Sequence, residues 1–245
     1  MKPGCHSGLA TTRCLAVGLL LATTCAGAVA AGVLSDFAQY RGDIIYQTIE
    51  QITMVAIAGF LAIAVSVPVG IYLSRPSQRH VAVSIMQVLN VGQAVPKLAL
   101  LALAMSLLGI GKVPSIFALW VATLLPIALN TYEGLLAVPR ALVEAATGMG
   151  MTSWQILWRV EIPNALYVIF AGIRTALAIT VGTAPLAFLV GGGGLGGLIF
   201  TGIDLNDFTM LLAGAIPTAI LAILTDIVVG QMQRWLVSPG VTPKG

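Results

Sequence analysis

The sequence predicts an all-α membrane protein, a polytopic bundle of about six transmembrane helices, and three observations carry that prediction. Charge is scarce: 58% of the 245 residues are hydrophobic and 9% charged, against the roughly 25% that a water-facing surface uses. Several apolar runs reach the ~18–20 residues that carry an α-helix through a bilayer. The basic residues sit at the ends of these runs and divide unequally between alternate connections, as topology signals do. The net charge of +3 therefore speaks of membrane orientation and not of nucleic-acid binding.

The first run, residues 14–34, follows Lys2, His6 and Arg13. Its length of about 21 residues favours a retained helix; the alternative is a signal-like segment cleaved after Ala28-Val29-Ala30. Either way, residues 36–50 face outward. Cys5, Cys14 and Cys25 all lie in this N-terminal stretch, odd in number and without metal-ligand spacing, so no disulfide framework follows.

The later runs are residues 52–73, 81–110 (with a polar stretch inside it), 113–130, 166–190 and 208–232. If the N-terminus is inside and each crossing switches sides, the inner connections hold Lys2, Arg13, Arg75, Arg79, Arg140, Arg159, Arg234 and Lys244. The outer ones hold only Arg41 and Lys112, with the acids Asp36, Asp43, Glu50, Asp204 and Asp207. Both termini then face the cytoplasm. Pro68, Pro96, Pro126, Pro185 and Pro217 fall inside runs, which bundled helices tolerate because neighbours satisfy the freed backbone groups. The chain divides into an N-terminal segment with the first helix (1–47), a transmembrane domain (48–235) and a flexible cytoplasmic tail (236–245).

Residues 133–164 interrupt the apolar pattern. Pro139 opens a stretch of good helix formers through Ala146, and Gly148 and Gly150 permit a sharp turn. A second helical stretch, 153–160, brings Trp154, Leu157 and Trp158 to one face at i, i+3 and i+4. Pro163 starts the next segment. The expectation is two short helices around a glycine turn at the cytoplasmic surface. Their Trp and Met side chains serve either as a lipid anchor or as a docking knob.

The stretch EAATGMGMTSWQILWRVEIP resembles the EAA loop of ABC importer permeases. Glu144-Ala145-Ala146 is followed by three residues, Gly150, nine residues and Val160-Glu161-Ile162-Pro163, with Val and Ile where the family has Ile and Leu. The resemblance implies a type I, binding-protein-dependent importer. Its coupling helices, Trp154 included, seat in a cleft of a separate ATP-binding subunit. ATP and Mg would bind to that partner, and this chain would carry no cofactor. The pieces LLPIALNTYEGL, EAATGMGMTSWQ, GIRTALAITVGTA and GGLGGLIFTGI resemble the osmoprotectant branch, which takes up glycine betaine, choline and carnitine. The partners it implies are ATPase subunits, an extracytoplasmic substrate-binding protein, a second permease chain (identical or paralogous) and membrane lipid. A different small solute, such as methionine, is the alternative substrate. Two positions depart from the family: Lys97 stands where a small hydroxyl residue is commoner, and Pro185 where Thr is usual. A cation at Lys97 would repel a cationic amine unless it snorkels or pairs with a loop acid.

Asn90, Gln93 and Lys97 give the third run a polar face around Pro96, which lines a pathway or bonds to a neighbouring helix. Trp120 and Tyr132 suit cation–π contact with a quaternary amine or a membrane-interface belt. Arg174, just inside the fifth run, either packs against Glu144 or Glu161 or snorkels. The run from Gly191 to Gly197 contains GxGxxG but lacks the preceding strand of a dinucleotide fold, and reads as a flexible loop at the outer mouth. The sequence contains no GxxxxGK[ST], so another polypeptide must hold the ATP phosphates. An ion-coupled carrier would need acids at mid-membrane, where only Asp226 qualifies. The spans contain no paired carboxylates, Ser/His pair or HExxH, so the chain reads as a transport subunit and not as an enzyme.

Overall fold

A computed structural model describes residues 39–237. The expected first crossing at 14–34, the three cysteines and the end of the tail lie outside the described residues. Helix α1, Arg41–Leu73, has 33 residues and is therefore ~50 Å long. That exceeds the ~30 Å hydrocarbon layer, so one end of α1 projects from it. After a 3₁₀ turn at Pro76–Gln78 come α2 (Arg79–Gln93), α3 (Lys97–Leu108) and α4 (Lys112–Leu136). The short helices α5 (Arg140–Gly148) and α6 (Ser153–Ile156) follow. A π-helical turn at Leu157–Glu161 then joins α6 to α7 (Ile162–Thr183). A 3₁₀ segment, Ala184–Val190, leads to α8 (Gly196–Asp204) and α9 (Phe208–Leu236).

Among the described residues, four helical stretches are long and apolar enough to cross a bilayer: Arg41–Leu73, Lys112–Leu136, Ser153–Val190 and Phe208–Leu236. A fifth arises if α2 and α3 count as one broken span, because they meet at an angle of 100°. The expected run over residues 81–110 is thus bent at the polar stretch inside it. Pro96 has no N–H to donate and biases Val95 away from helical backbone, so the chain turns at residues 94–96 before restarting at Lys97.

Helix α4 packs most extensively against α1 and α7, and α7 in turn against α9. One apolar cluster gathers Ile127 and Leu135 of α4 with Ile169 and Ile173 of α7. A second joins Met54, Leu119 and Val181. Two glycines set the spacing between helices. A Cβ at Gly70 would meet the Thr131 side chain at 2.6 Å, and one at Gly172 would overlap Asn130. Polar side chains supply interhelical bonds where lipid offers no hydrophobic drive. Ser66 Oγ donates to the Leu124 carbonyl at 2.9 Å, and the Thr123 and Thr180 hydroxyls lie 2.8 Å apart. Phe60, Leu107, Ile223 and Trp235 point outward, a surface that suits lipid and would be an aggregation hazard in water.

Candidate functional site

The interruption at 133–164 folds as two helices around a turn, and the backbone explains its spacing. Gly150 has φ +78°, the left-handed region that favours glycine. The Met151 N–H donates to the Ala146 carbonyl at 3.2 Å and the Gly150 N–H to Thr147 at 2.9 Å. This is the Schellman arrangement that closes a helix C-terminus, and it requires glycine four residues after Ala146. Gly148, expected to share the turn, is instead the last helical residue of α5. The next helix opens with a capping box: Thr152 Oγ1 accepts from the Gln155 N–H, and Gln155 Oε1 accepts from the Thr152 N–H at 2.9 Å. The sequence Thr-Ser-Trp-Gln carries that signal, and the motif reading passed over it.

The expected single face of Trp154, Leu157 and Trp158 is divided. Leu157 is buried with Ala146 and Ile156, while Trp154 is 67% and Trp158 53% exposed. The two indoles meet edge to face with centroids 5.6 Å apart, and Met149 stands exposed beside the turn in sequence. Pro163 does not start a separate segment. The Ile162 N–H bonds to Leu157, one residue further back than in an α-helix. This π turn lets the ring of Pro163 pass, so the helical stretch from Ser153 to Val190 is continuous over 38 residues. Glu144 and Ala145 are exposed on α5. Glu144 faces a cavity of about 670 Å³ shared with Arg75, Tyr132, Arg140 and Glu161. Glu161 Oε2 lies 2.7 Å from Arg75 Nη2, close enough for an ion pair although off-angle for a hydrogen bond.

Arg174 pairs with neither Glu144 nor Glu161. Its guanidinium grips both carboxylate oxygens of Asp226 on α9, and Gly230, one turn on, lies beside it. The acid that stood out in the sixth run is thus a structural counter-ion. Gln93 and Lys97 line a smaller cavity of about 290 Å³ with Asn130 and Thr175, two residues that the sequence reading did not select. Asn90 is exposed on α2 and is not part of that lining. Trp120 packs between the two main apolar clusters against Phe117, with centroids 5.6 Å apart. Its buried indole N–H has no partner among the described residues. Tyr132 sits at the loop end of the bundle, in the larger cavity.

The glycine run is not a loose loop. Glu50 Oε2, Gln51 Oε1 and Gln47 Oε1 on α1 accept from the N–H groups of Gly194, Leu195 and Leu198 at 3.3, 3.1 and 3.2 Å. Gly193 and Gly194 have φ near +80°, which turns these donors toward α1. Lys112 Nζ reaches Glu50 at 2.6 Å. On the same side, Asp207 caps α9 by accepting from Thr209 and Met210. Those backbone donors, with the Tyr40 hydroxyl, hold its carboxyl below the usual range.

Residues 66–238 match the family described as binding-protein-dependent transport system inner membrane component. The chain belongs to that family. The permease is 50% identical over 194 residues to an osmoprotectant import permease protein of Salmonella typhimurium, covering 79% of this chain and 82% of the relative. It is 43% identical over 204 residues to a glycine betaine/carnitine/choline transport system permease protein of Bacillus subtilis, covering 83% of this chain and 91% of that one. Among solved structures its fold is similar to an inward-facing MetNI methionine ABC transporter, with TM-score 0.70, 25% identity, and 80% of this chain and 97% of that chain covered. The permease is a multi-pass inner-membrane transport subunit of an ABC importer. Family membership implies ATPase subunits, a substrate-binding protein and a second permease as partners.

Proposed function

We propose that the permease imports quaternary-amine osmoprotectants of the glycine betaine, carnitine and choline class, driven by separate ATPase subunits that grip residues 139–163. The substrate class rests on what the relatives are named to carry. One observation carries the coupling: the exposed Trp154–Trp158 pair stands on a capped turn and is continuous with a 38-residue helical stretch. Force applied to that knob enters the transmembrane bundle directly, because no flexible joint lies between them. Glu144, Ala145, Ala146 and Gly150 shape the helix and turn that present it, and Pro163 sits where the π turn hands over to α7. Closure of two ATPase subunits, which bind ATP and Mg, would rock the bundle between inward- and outward-facing states. Residues 48–235 form the transport domain, with residues 1–47 before it and the tail 236–245 after it. The loop end and both termini lie in the cytoplasm, and the glycine-run end faces the substrate-binding protein. The basic residues of the inner connections support this orientation.

The test is uptake of labelled glycine betaine at high osmolarity in cells with and without the chain, with unlabelled choline, carnitine and methionine as competitors. Loss of uptake on deletion, with competition by carnitine and none by methionine, is the expected result. Competition by methionine, or unchanged betaine uptake, would overturn the substrate assignment. Failure of the chain to co-purify with an ATPase subunit would overturn the coupling.

A further inference from the structure

Lys97 and Arg174 lie away from the ends of the membrane-crossing stretches, and the fold treats them differently. Arg174 receives a carboxylate from its own chain, Asp226. Lys97 receives none. Among the described residues the ion pairs are Arg75–Glu161, Lys112–Glu50 and Arg174–Asp226, and the cavity that Lys97 lines contains no acid and no aromatic ring. Lys97 is half-buried, so its ammonium has given up part of its water without gaining a counter-ion.

The cavity is suited to a small solute. Its volume is about 290 Å³, at the lower edge of the ~300–1,000 Å³ usual for ligand sites. Pro126, on its wall, follows Lys112 by fourteen residues, about 21 Å along α4 and hence well inside the ~30 Å apolar layer. Pro126 has no N–H to donate to the helix turn at Ala122, and both residues line the same space. Asn130 commits its Nδ2 to the Pro126 carbonyl at 2.8 Å, which keeps its amide oriented. The site therefore has one cation, an oriented amide and apolar walls from Leu125 and Ile179. An unpaired cation at that depth marks a solute path by its physical cost alone.

We propose that the missing counter-ion is the carboxylate of the transported solute. On the reading that this permease carries quaternary amines, the inference narrows the substrates to zwitterions. Lys97 holds the carboxylate of a glycine betaine- or carnitine-like molecule, and the methylated ammonium lies against the apolar walls, away from it. Choline, with a hydroxyl in place of the carboxylate, meets an uncompensated like charge and is disfavoured. Lys97 thus acts as a specificity residue: it attracts the zwitterion and repels the bare cation.

The experiment uses the full chain with its partner subunits in cells. Initial uptake of labelled glycine betaine and of labelled choline is compared for wild type, Lys97→Met and Lys97→Arg. The wild type is expected to favour glycine betaine. Lys97→Met should lose glycine betaine uptake about tenfold or more while choline uptake holds or rises, and Lys97→Arg should retain the preference. Retained choline uptake is itself proof that the Met variant folds and couples. Equal loss of both substrates in Lys97→Met, with the chain still bound to its ATPase, would reduce Lys97 to a structural role and overturn the proposal. Unchanged glycine betaine uptake would overturn it as well. A wild type that moves neither amine refutes the quaternary-amine reading first, and that result is visible before any variant is compared.

Discussion

At the end of the bundle that carries residues 191–197, Gln47, Glu50 and Gln51 of α1 hold backbone groups of a segment about 150 residues away in sequence. At the opposite end, Arg75, two residues past α1, pairs with Glu161 of the π turn beside a cavity of about 670 Å³. Gln51 is fully buried and also donates to the Val181 carbonyl at 3.2 Å. Trp154 and Trp158 are mostly exposed. The contrast separates two tasks. Where water is excluded, a bond between side chain and backbone stabilises by removing an otherwise unpaired buried group. Where the surface is left apolar and open, it contributes little to the chain's own stability and is available to a partner.

Gln51→Leu should show the largest effect. It leaves the Leu195 N–H without its acceptor in a buried site and removes the bond to Val181, at a cost of about 3 kcal/mol. Urea unfolding of the detergent-solubilised protein measures this, and a loss below ~1 kcal/mol would show that the glycine end is not held as described. Next comes Trp154→Ala combined with Trp158→Ala. Stability should move by no more than ~0.5 kcal/mol, while affinity for the ATPase subunit falls about 30-fold or more, as for an aromatic hot spot. Lost stability with retained affinity would reverse the assignment of tasks. The smallest effect concerns Asp207. Its carboxyl is held below the usual value of 3.8 chiefly by the Met210 N–H, then by Tyr40. Its contribution is therefore complete above the ordinary carboxylate range and lost as pH falls through the folded value. Asp207→Asn should flatten that part of the acid-unfolding curve, and an unchanged curve would remove the cap from the account.

Much of the candidate site was legible because it is local. The spacing from Ala146 to Gly150 is a helix-closing turn, and Thr152 with Gln155 is a capping box; both are written within a few residues. The interruption of the apolar pattern at 133–164 marked the loop for the same reason. The division of the Trp face was not legible, because which side of a short helix is buried depends on what the rest of the fold brings against it. Arg174 was similarly ambiguous: the acids near it in the sequence-based topology were Glu144 and Glu161, and the one it meets, Asp226, is 52 residues away. Glu161 in turn is taken by Arg75.

By itself the sequence determined that this chain is helical and membrane-embedded, where most of its spans lie, and which segment breaks out of the bilayer. Those properties follow from apolar run length, charge placement and turn chemistry, all short-range. Only the tertiary structure decided the rest. It bent the third run at Pro96, carried the helix past Pro163, fastened the glycine run to α1, gave Arg174 its acid and left Lys97 without one. Each of these outcomes depends on groups far apart in the chain competing for the same partner, and packing settles that competition.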